Sequence, residues 1–134
     1  MIGVLLVTHG EIGAAMLSSA SQILGGAVKQ VATLSVWRQD DPDDLVLRAR
    51  ELLEELDAGD GVLVLTDIFG ATPGNVVSRL LNDNHIEGVS GVSLPMLLRV
   101  LTSRNGSLSA AVKRAVSGGS EGVVHMNSDR CLDA

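Results

Sequence analysis

The best candidate for a nucleophile in this sequence of 134 residues is His9, which lies between Thr8 and Gly10. The histidine directly follows an apolar run, and the glycine after it leaves room for a partner to approach. Asp67 follows a second apolar run. A carboxylate that accepts a hydrogen bond from one ring nitrogen fixes the tautomer and directs the lone pair of the other nitrogen outward. His9 and Asp67 therefore are candidates for a nucleophile and the residue that orients it.

The segment after Asp67 adds a candidate binding site for an anion. Gly70 and Ala71 lead into Thr72 and Pro73, which we interpret as the N-cap and the first residue of a helix. Backbone N–H groups at the start of a helix have no partner within it, so they bind phosphate well. A nucleophile, an orienting carboxylate and a phosphate cradle together predict phosphoryl transfer, in which positioning and charge stabilisation supply most of the catalysis.

Each of these residues also has an ordinary structural interpretation. A histidine after a strand is often only a surface residue, whereas Asp67 suits a helix cap and Gly70 a turn. The other histidines are weaker candidates, because we expect His85 in a solvated turn at the opposite end of the sheet and His125 in a last strand. Their spacing, with the single Cys131, does not match a metal site, so we predict no metal.

Motifs for several other chemistries are missing from the sequence. It has no Gly-x-x-x-x-Gly-Lys-Ser/Thr segment for ATP, no Gly-x-Gly-x-x-Gly turn for a dinucleotide and no Gly-x-Ser-x-Gly elbow for a serine nucleophile. Helix capping accounts for the carboxylates at 40–44. We therefore predict that the protein needs no cofactor.

The composition indicates one globular domain, with 46% apolar and 19% charged residues. Trp37 and Phe69 are its only aromatic residues, and the net charge is −6. Both features disfavour nucleic-acid binding, and the charge also disfavours anionic membranes. The apolar start at 2–7 is too short for a signal peptide or a membrane span, and a single cysteine forms no internal disulfide. We expect a cytoplasmic protein with no direct membrane insertion.

Strand and helix patterns alternate along the chain. Apolar runs predict strands at 2–8, 31–37, 61–66 and about 86–94, and helical periodicity follows each of them. We predict helices at 12–24, from 42 through Leu56, from Pro73 through Leu81, from Pro95 and at about 107–117, and a short strand at 122–126.

This alternation predicts an α/β fold with a doubly wound, mostly parallel sheet of order 2-1-3-4 and helices on both faces. In such sheets the ligand site lies beyond the carboxyl ends of the strands. Strands one and three are neighbours in this order, so His9 and Asp67 are expected side by side. The loops at this edge supply the remaining candidates for binding phosphate or a partner, which are Thr8, Gly10, Trp37, Phe69, Gly70, Ala71, Thr72, Pro95 and Met96.

Four segments resemble the mannose-type enzyme IIA domain of the bacterial phosphoenolpyruvate-dependent sugar phosphotransferase system. They are Val7-Thr8-His9-Gly10, the segment from Thr66 to Asn75, the segment from Gly91 to Leu97, and Gly122-Val123-Val124. The likeness covers about residues 1–126, so we expect a phosphocarrier domain there and a C-terminal tail at 127–134. Two positions depart from the family, because Ala71 replaces a usual second glycine and Ser93 a common asparagine.

The resemblance implies that His9 is the phosphorylated histidine and Asp67 its carboxylate partner. The phosphoryl group would come from the histidine-containing phosphocarrier protein and pass to an enzyme IIB domain, which we expect on another polypeptide. Neither a nucleotide nor a metal takes part in that family's chemistry. The family also implies a homodimer that exchanges a C-terminal strand, expected at residues 121–126.

Several functions remain compatible with the sequence. A phosphocarrier of this kind serves sugar uptake, regulation or, in a close variant, a dihydroxyacetone kinase. A receiver-like signalling domain would instead be phosphorylated on Asp67, although the acidic pair that holds magnesium in such domains is replaced here by His9 and Gly10. A non-catalytic partner-binding module would carry no phosphoryl group at all.

Overall fold

A central sheet of four parallel strands organises the computed structural model, which describes residues 1–82 and 85–128. The strands are β1 (Gly3–His9), β2 (Val31–Val36), β3 (Val62–Thr66) and β4 (Ile86–Ser90). The helices of the described residues are α1 (Ile12–Leu24), α2 (Pro42–Leu56), α3 (Thr72–Ser78), α4 (Leu94–Leu101) and α5 (Leu108–Glu121).

The strand order is β2-β1-β3-β4, which confirms the predicted order. β1 lies between β2 and β3 and is buried up to Thr8, as expected for an apolar strand covered on both faces. Its last residue, His9, pairs in register with Val36, and Val7 pairs with Thr66. The ends of β1 and β3 therefore meet at one edge of the sheet.

The helices cover both faces of the sheet, which confirms the doubly wound α/β class. Along β1, Leu5 and Val7 face α2 and α3, whereas Val4 and Leu6 face the layer formed by α1, α4 and α5. Each face buries aliphatic side chains almost exclusively, and this burial is the main source of stability in a chain with so few aromatic residues.

Helix starts follow the polar signals at three of five positions. Asp41, Ser93 and Ser107 each accept a backbone N–H bond in the first turn of α2, α4 and α5. The predicted cap at Thr72 is wrong, because Gly70 completes the turn with a φ of +89° and Ala71 takes the N-cap position without a side-chain bond. Thr72 is already helical.

Helix α3 is shorter than the sequence suggests, because it ends at Ser78 and not near Leu81. The N–H groups of Arg79 and Leu80 bond to carbonyls three residues back, which tightens the last turn and ends the helix. β4 also ends early, at Ser90, because Gly91 turns the chain with a φ of +82°.

The C-terminal part departs most from the expectation. Helix α5 continues to Glu121, and residues 122–128 form no strand in this single chain. Gly118 and Gly122 pack closely against Arg99 and Pro95, so the chain remains on α4, and residues 122–128 do not pair with β4. Residues 129–134, which include Cys131 and most of the expected tail, lie outside the described residues.

None of the helices in the described residues is long and apolar enough to cross a membrane.

Candidate functional site

His9 is the last residue of β1 and extends from the carboxyl edge of the sheet with 47% of its side chain exposed. Gly10 follows with a φ of +49° and donates its N–H to the carbonyl of Val36 at 2.9 Å. A side chain at this position would be strained by the positive φ and would also contact the ring of Trp37. Glycine therefore lets the chain turn directly beneath the histidine.

Asp67 directly follows β3 and lies beside His9, as the strand order predicts. Its Oδ2 is 2.8 Å from Nδ1 of His9 and also accepts the backbone N–H of His9 at 3.1 Å. Because a carboxylate only accepts hydrogen bonds, Nδ1 carries the hydrogen in this arrangement. Because Nδ1 is the nitrogen bonded to Asp67, the lone pair on Nε2 points away from the aspartate. Nε2 forms no hydrogen bond among the described residues.

The Asp67 carboxylate is largely buried, with 12% of its side chain exposed. Burial by itself would raise its pKa, but hydrogen bonds from the ring and backbone of His9 outweigh this effect, so the pKa lies below its ordinary value. The other oxygen, Oδ1, accepts the N–H of Ile68 at 3.2 Å. Asp67 is therefore an ionised, firmly held carboxylate against one side of the histidine ring.

Exposed apolar side chains follow the strands on either side of β1 at the same edge of the sheet, Trp37 after β2 and Ile68 and Phe69 after Asp67. Phe69 is 81% exposed, and Ile68 and Trp37 are about half exposed. We call these three residues the apolar rim. The sequence predicted a role for Phe69 and Trp37 but missed Ile68, although an isoleucine in a loop directly after a strand is a recognisable signal of exposed apolar surface.

The loop from Gly70 to Thr72 follows the rim and is open to solvent. Position 70 has a positive φ and therefore favours glycine, whereas Ala71 has a φ of −104°, which any residue adopts. The alanine that departs from the family pattern is therefore unstrained. Ser93, the second departure, accepts the N–H of Met96 and caps α4.

Three other expected site residues lie elsewhere. Thr8 is buried and its hydroxyl accepts the N–H of Gly13, so it fastens the start of α1. Met96 is a core residue with 3% exposure. Pro95 is exposed at the start of α4, which follows β4, and β3 separates that strand from β1. The structure gives these residues packing or capping positions and does not place them around the histidine.

A second histidine–aspartate pair lies at the opposite end of the sheet from His9. Nε2 of His85 is 2.5 Å from Oδ2 of Asp57, which directly follows α2. Asp57 Oδ1 also accepts the N–H groups of Gly59 and Gly61, and the Gly59 bond is the main reason that the pKa of Asp57 is lowered. His85 lies in an exposed turn, as expected, but its pairing with Asp57 was not predictable, because the two residues are far apart in the chain.

His125 lies in a segment without regular structure, and not in a strand. In the part of the chain that the structure describes, no group of three or more His, Cys, Asp or Glu side chains is placed to hold a metal ion.

Comparison with known proteins shows the family to which this chain belongs. The family model described as "PTS system fructose IIA component" matches residues 3–117. The chain is 33% identical over 125 residues to the "PTS system mannose-specific EIIAB component" of Escherichia coli (strain K12), which covers 91% of this chain and 38% of that protein. It therefore spans well under half the length of that relative.

Two further proteins match over most of their length. The "PTS system fructose-specific EIIA component" of Bacillus subtilis (strain 168) is 30% identical over 105 residues, which covers 78% of this chain and 71% of that protein. The crystal structure of phosphotransferase system component EIIA from Streptococcus agalactiae is 27% identical, with a TM-score of 0.83, and the match covers 94% of this chain and 98% of that one. The chain belongs to the fructose- and mannose-type IIA component family of the sugar phosphotransferase system, whose members are phosphotransferase components.

Proposed function

We propose that the protein is a phosphocarrier in which Nε2 of His9 accepts a phosphoryl group and passes it on. The observation that supports this most strongly is the 2.8 Å contact between Nδ1 of His9 and Oδ2 of Asp67. It fixes the ring by one nitrogen and leaves the other facing solvent. Membership of the IIA family supports the reaction class.

The proposed step is an exchange between two imidazoles. The P–N bond in the donor's phosphohistidine breaks while a P–N bond forms to Nε2 of His9, and the donor ring leaves with the electron pair of the broken bond. No proton has to move, because His9 keeps the hydrogen on Nδ1. The product ring is positively charged, and the adjacent Asp67 carboxylate stabilises it. The reverse exchange would deliver the group to the acceptor.

Backbone groups of the following loop are the candidates for binding the phosphoryl oxygens. The loop from Gly70 to Thr72 is solvent-exposed at the same edge of the sheet and directly follows the residues that contact Asp67. The hydroxyl of Thr72 is exposed and does not cap its own helix, so it is available to a phosphoryl oxygen. Ala71 would contribute to this loop through its backbone N–H and not through its side chain.

The proposed donor is the histidine-containing phosphocarrier protein, and the proposed acceptor is an enzyme IIB domain. Both must bring a reactive group to Nε2 of His9, so they would dock in turn on the apolar rim of Trp37, Ile68 and Phe69. Exposed aromatic side chains around a small polar centre are typical of protein interfaces. Because this phosphotransfer takes place between cytoplasmic proteins, we propose that the protein acts in the cytoplasm.

We also propose that two copies form a dimer through the free edge of β4, with residues 1–126 as the phosphocarrier domain. An apolar groove of about 390 Å³ runs beside this strand, lined in part by Val89, Val116 and Val123. Val123 is 85% exposed and Met126 is 78% exposed. Sedimentation velocity is expected to show a dimer that Val123→Asp weakens, and a monomer at all concentrations would contradict this proposal.

The main test is phosphorylation of the purified protein by phosphoenolpyruvate, enzyme I and the histidine-containing phosphocarrier protein. We expect acid-labile label that His9→Ala abolishes. His85→Ala is the matched control, because it removes another half-exposed histidine that also pairs with an aspartate, and it should keep the label. Onward loss of the label to candidate IIB domains would then identify the acceptor.

The alternatives give different results in the same experiment. Label that is released by hydroxylamine and survives in His9→Ala would indicate a receiver-like domain phosphorylated on Asp67. A folded protein that takes no label would indicate a partner-binding module.

A further inference from the structure

The amino end of the sheet, opposite His9, contains a buried positive charge that the proposed phosphotransfer does not use. Arg104 lies just after α4 and only 7% of it is exposed. Among the described residues it forms no ion pair with a carboxylate. A buried charge without an opposite charge is costly, so its presence calls for a partner.

The guanidinium is only partly satisfied by the protein. Its Nη1 donates to the carbonyls of Ile2 and Gln30, both at 3.3 Å, while Nε is buried with no acceptor among the described residues. Two long bonds to neutral carbonyls do not neutralise the charge. Burial accordingly lowers the pKa of Arg104, although the group stays protonated near neutral pH.

Arg104 lines an open cavity of about 470 Å³ together with residues 24–29 and Met1. Lys29, one of only two lysines in the chain, brings a second positive charge to its wall. Two carboxylates at this edge of the sheet already have partners, because Asp60 is bonded to the amino group of Met1 and Asp57 to His85, and neither lines the cavity. The cavity is therefore cationic in a chain whose net charge is −6.

The loop that forms the cavity wall also has unused backbone donors. The N–H groups of Gly25 and Gly26 close α1, but those of Ala27, Val28 and Lys29 have no acceptor among the described residues. The next residue, Gln30, has a φ of +52°, a conformation that non-glycine residues rarely adopt. Its carbonyl and side chain are held by Arg104, Met1 and Leu56. These hydrogen bonds hold Gln30 in its unusual conformation and keep the loop in place against Arg104.

We propose that this cavity binds a small anion of the phosphate class, with Arg104 and Lys29 supplying the charge and residues 27–29 the backbone N–H groups. A guanidinium and several N–H donors suit a tetrahedral dianion. β1 separates the cavity from His9 by about 20 Å, at roughly 3.3 Å per residue. The site is thus distinct from the phosphoryl site, and its occupancy does not depend on the function proposed for His9.

The test is a ¹⁵N NMR titration of the whole chain with inorganic phosphate and, separately, with a hexose phosphate, at constant ionic strength against chloride. We expect saturable shifts of the amides of Ala27, Val28 and Lys29. Tighter binding of the sugar phosphate would identify a phosphorylated metabolite as the better ligand, and equal binding would identify free phosphate. Either result supports the site.

Two lysine substitutions make the test specific. Lys29→Glu should weaken the binding at least about tenfold, the equivalent of one charge-assisted contact. Lys113→Glu makes the same charge change at an exposed position of α5 outside the cavity and should leave it unchanged. Arg104→Lys is informative only if the variant folds, because Arg104 also bonds to Ile2 and Gln30, the residues directly before β1 and β2. The proposal would be overturned by amide shifts that match those caused by chloride, or by a Lys29→Glu variant that binds phosphate as tightly as the wild type. Arg104 would then have only a structural role, through its bonds to Ile2 and Gln30.

Discussion

At the scale of single residues, the two nitrogens of His9 have different surroundings. Nδ1 is bonded to Asp67, whereas Nε2 faces away from Asp67 on a ring that is about half exposed. The same oxygen of Asp67 also accepts the backbone N–H of His9, so ring and main chain are fixed together. This double contact limits rotation of the ring, which is what positions a nucleophile for an incoming phosphoryl group.

Removing the charge of Asp67 should slow the transfer without unfolding the protein. Asp67→Asn keeps an oxygen that accepts from Nδ1 but loses the negative charge that stabilises the phosphorylated ring. We expect His9 to be phosphorylated roughly 10- to 100-fold more slowly, the usual cost of losing a carboxylate that orients a histidine. Stopped phosphorylation assays measure the rate, and circular dichroism checks the fold.

Asp60→Asn is the matched control, because it makes the same charge change at the opposite end of the sheet. It should leave the rate of phosphorylation unchanged. An Asp67→Asn variant that reacts as fast as the wild type would show that the carboxylate has no part in the step.

At the scale of elements, Asp57 connects the end of α2, the turn before β3 and the residue before β4. Its side chain accepts bonds from Gly59, Gly61 and His85, so it holds together three segments at the amino edge of the sheet. The pKa of Asp57 is lowered from 3.8, chiefly by the Gly59 N–H. The ionised carboxylate is therefore favoured in the folded state.

Asp57→Ala should lower the free energy of unfolding by roughly 1 kcal/mol, the usual net value of such hydrogen bonds. Since the folded-state pKa lies below the unfolded value, this stabilisation is fully present above about pH 3.8 and is lost as the pH falls through the folded-state pKa. Urea unfolding at a series of pH values measures it. A difference between variant and wild type that grows below pH 3.8 would contradict this assignment.

The strand order and the meeting of His9 with Asp67 were predictable because apolar runs and the loops after them are local signals. The position of the N-cap of α3 at Ala71 was not predictable, since it depends on the backbone angles of Gly70. Thr8 illustrates another limit, because it was expected to bind phosphate or a partner, but its buried hydroxyl accepts the N–H of Gly13.

Other features depend on contacts between distant parts of the chain. The pair of His85 with Asp57 and the burial of Arg104 join segments that the sequence separates by many residues. The strand expected at 122–126 also needs a neighbour, and within one chain α5 keeps this segment on α4 instead. Periodicity describes one segment at a time, so it does not report such pairings.

At the scale of the whole molecule, the two ends of the sheet differ in character. The carboxyl edge presents His9 within the exposed apolar rim, whereas the amino edge contains Arg104, Lys29 and the Asp57 pair. A protein that exchanges a group with two partners in turn needs one accessible face and a rigid body behind it. The sheet, buried on both faces, supplies that body.

Phe69 should contribute to docking rather than to stability. Because its side chain is 81% exposed, Phe69→Ala should change the free energy of unfolding by less than about 0.5 kcal/mol. Its loss should lower kcat/KM for transfer from the phosphocarrier protein about tenfold, as expected for an aromatic residue central to an interface. Steady-state transfer kinetics measure the effect.

Leu47→Ala is the comparison for Phe69, because Leu47 is also exposed, at 62%, but lies on α2. Transfer by this variant should equal that of the wild type. If the two variants behave alike, the apolar rim is not the docking surface.

The position of the phosphoryl group on the histidine ring decides whether His9 reacts through Nε2, as proposed. Two-dimensional ¹H–¹⁵N NMR of the enzymatically phosphorylated protein, with ³¹P detection, distinguishes the two ring nitrogens of His9. The geometry predicts phosphorus on Nε2 and hydrogen retained on Nδ1, because Nδ1 is bonded to Asp67. Phosphorus on Nδ1, or on the carboxylate of Asp67, would show that Nε2 of His9 is not the phosphoryl acceptor.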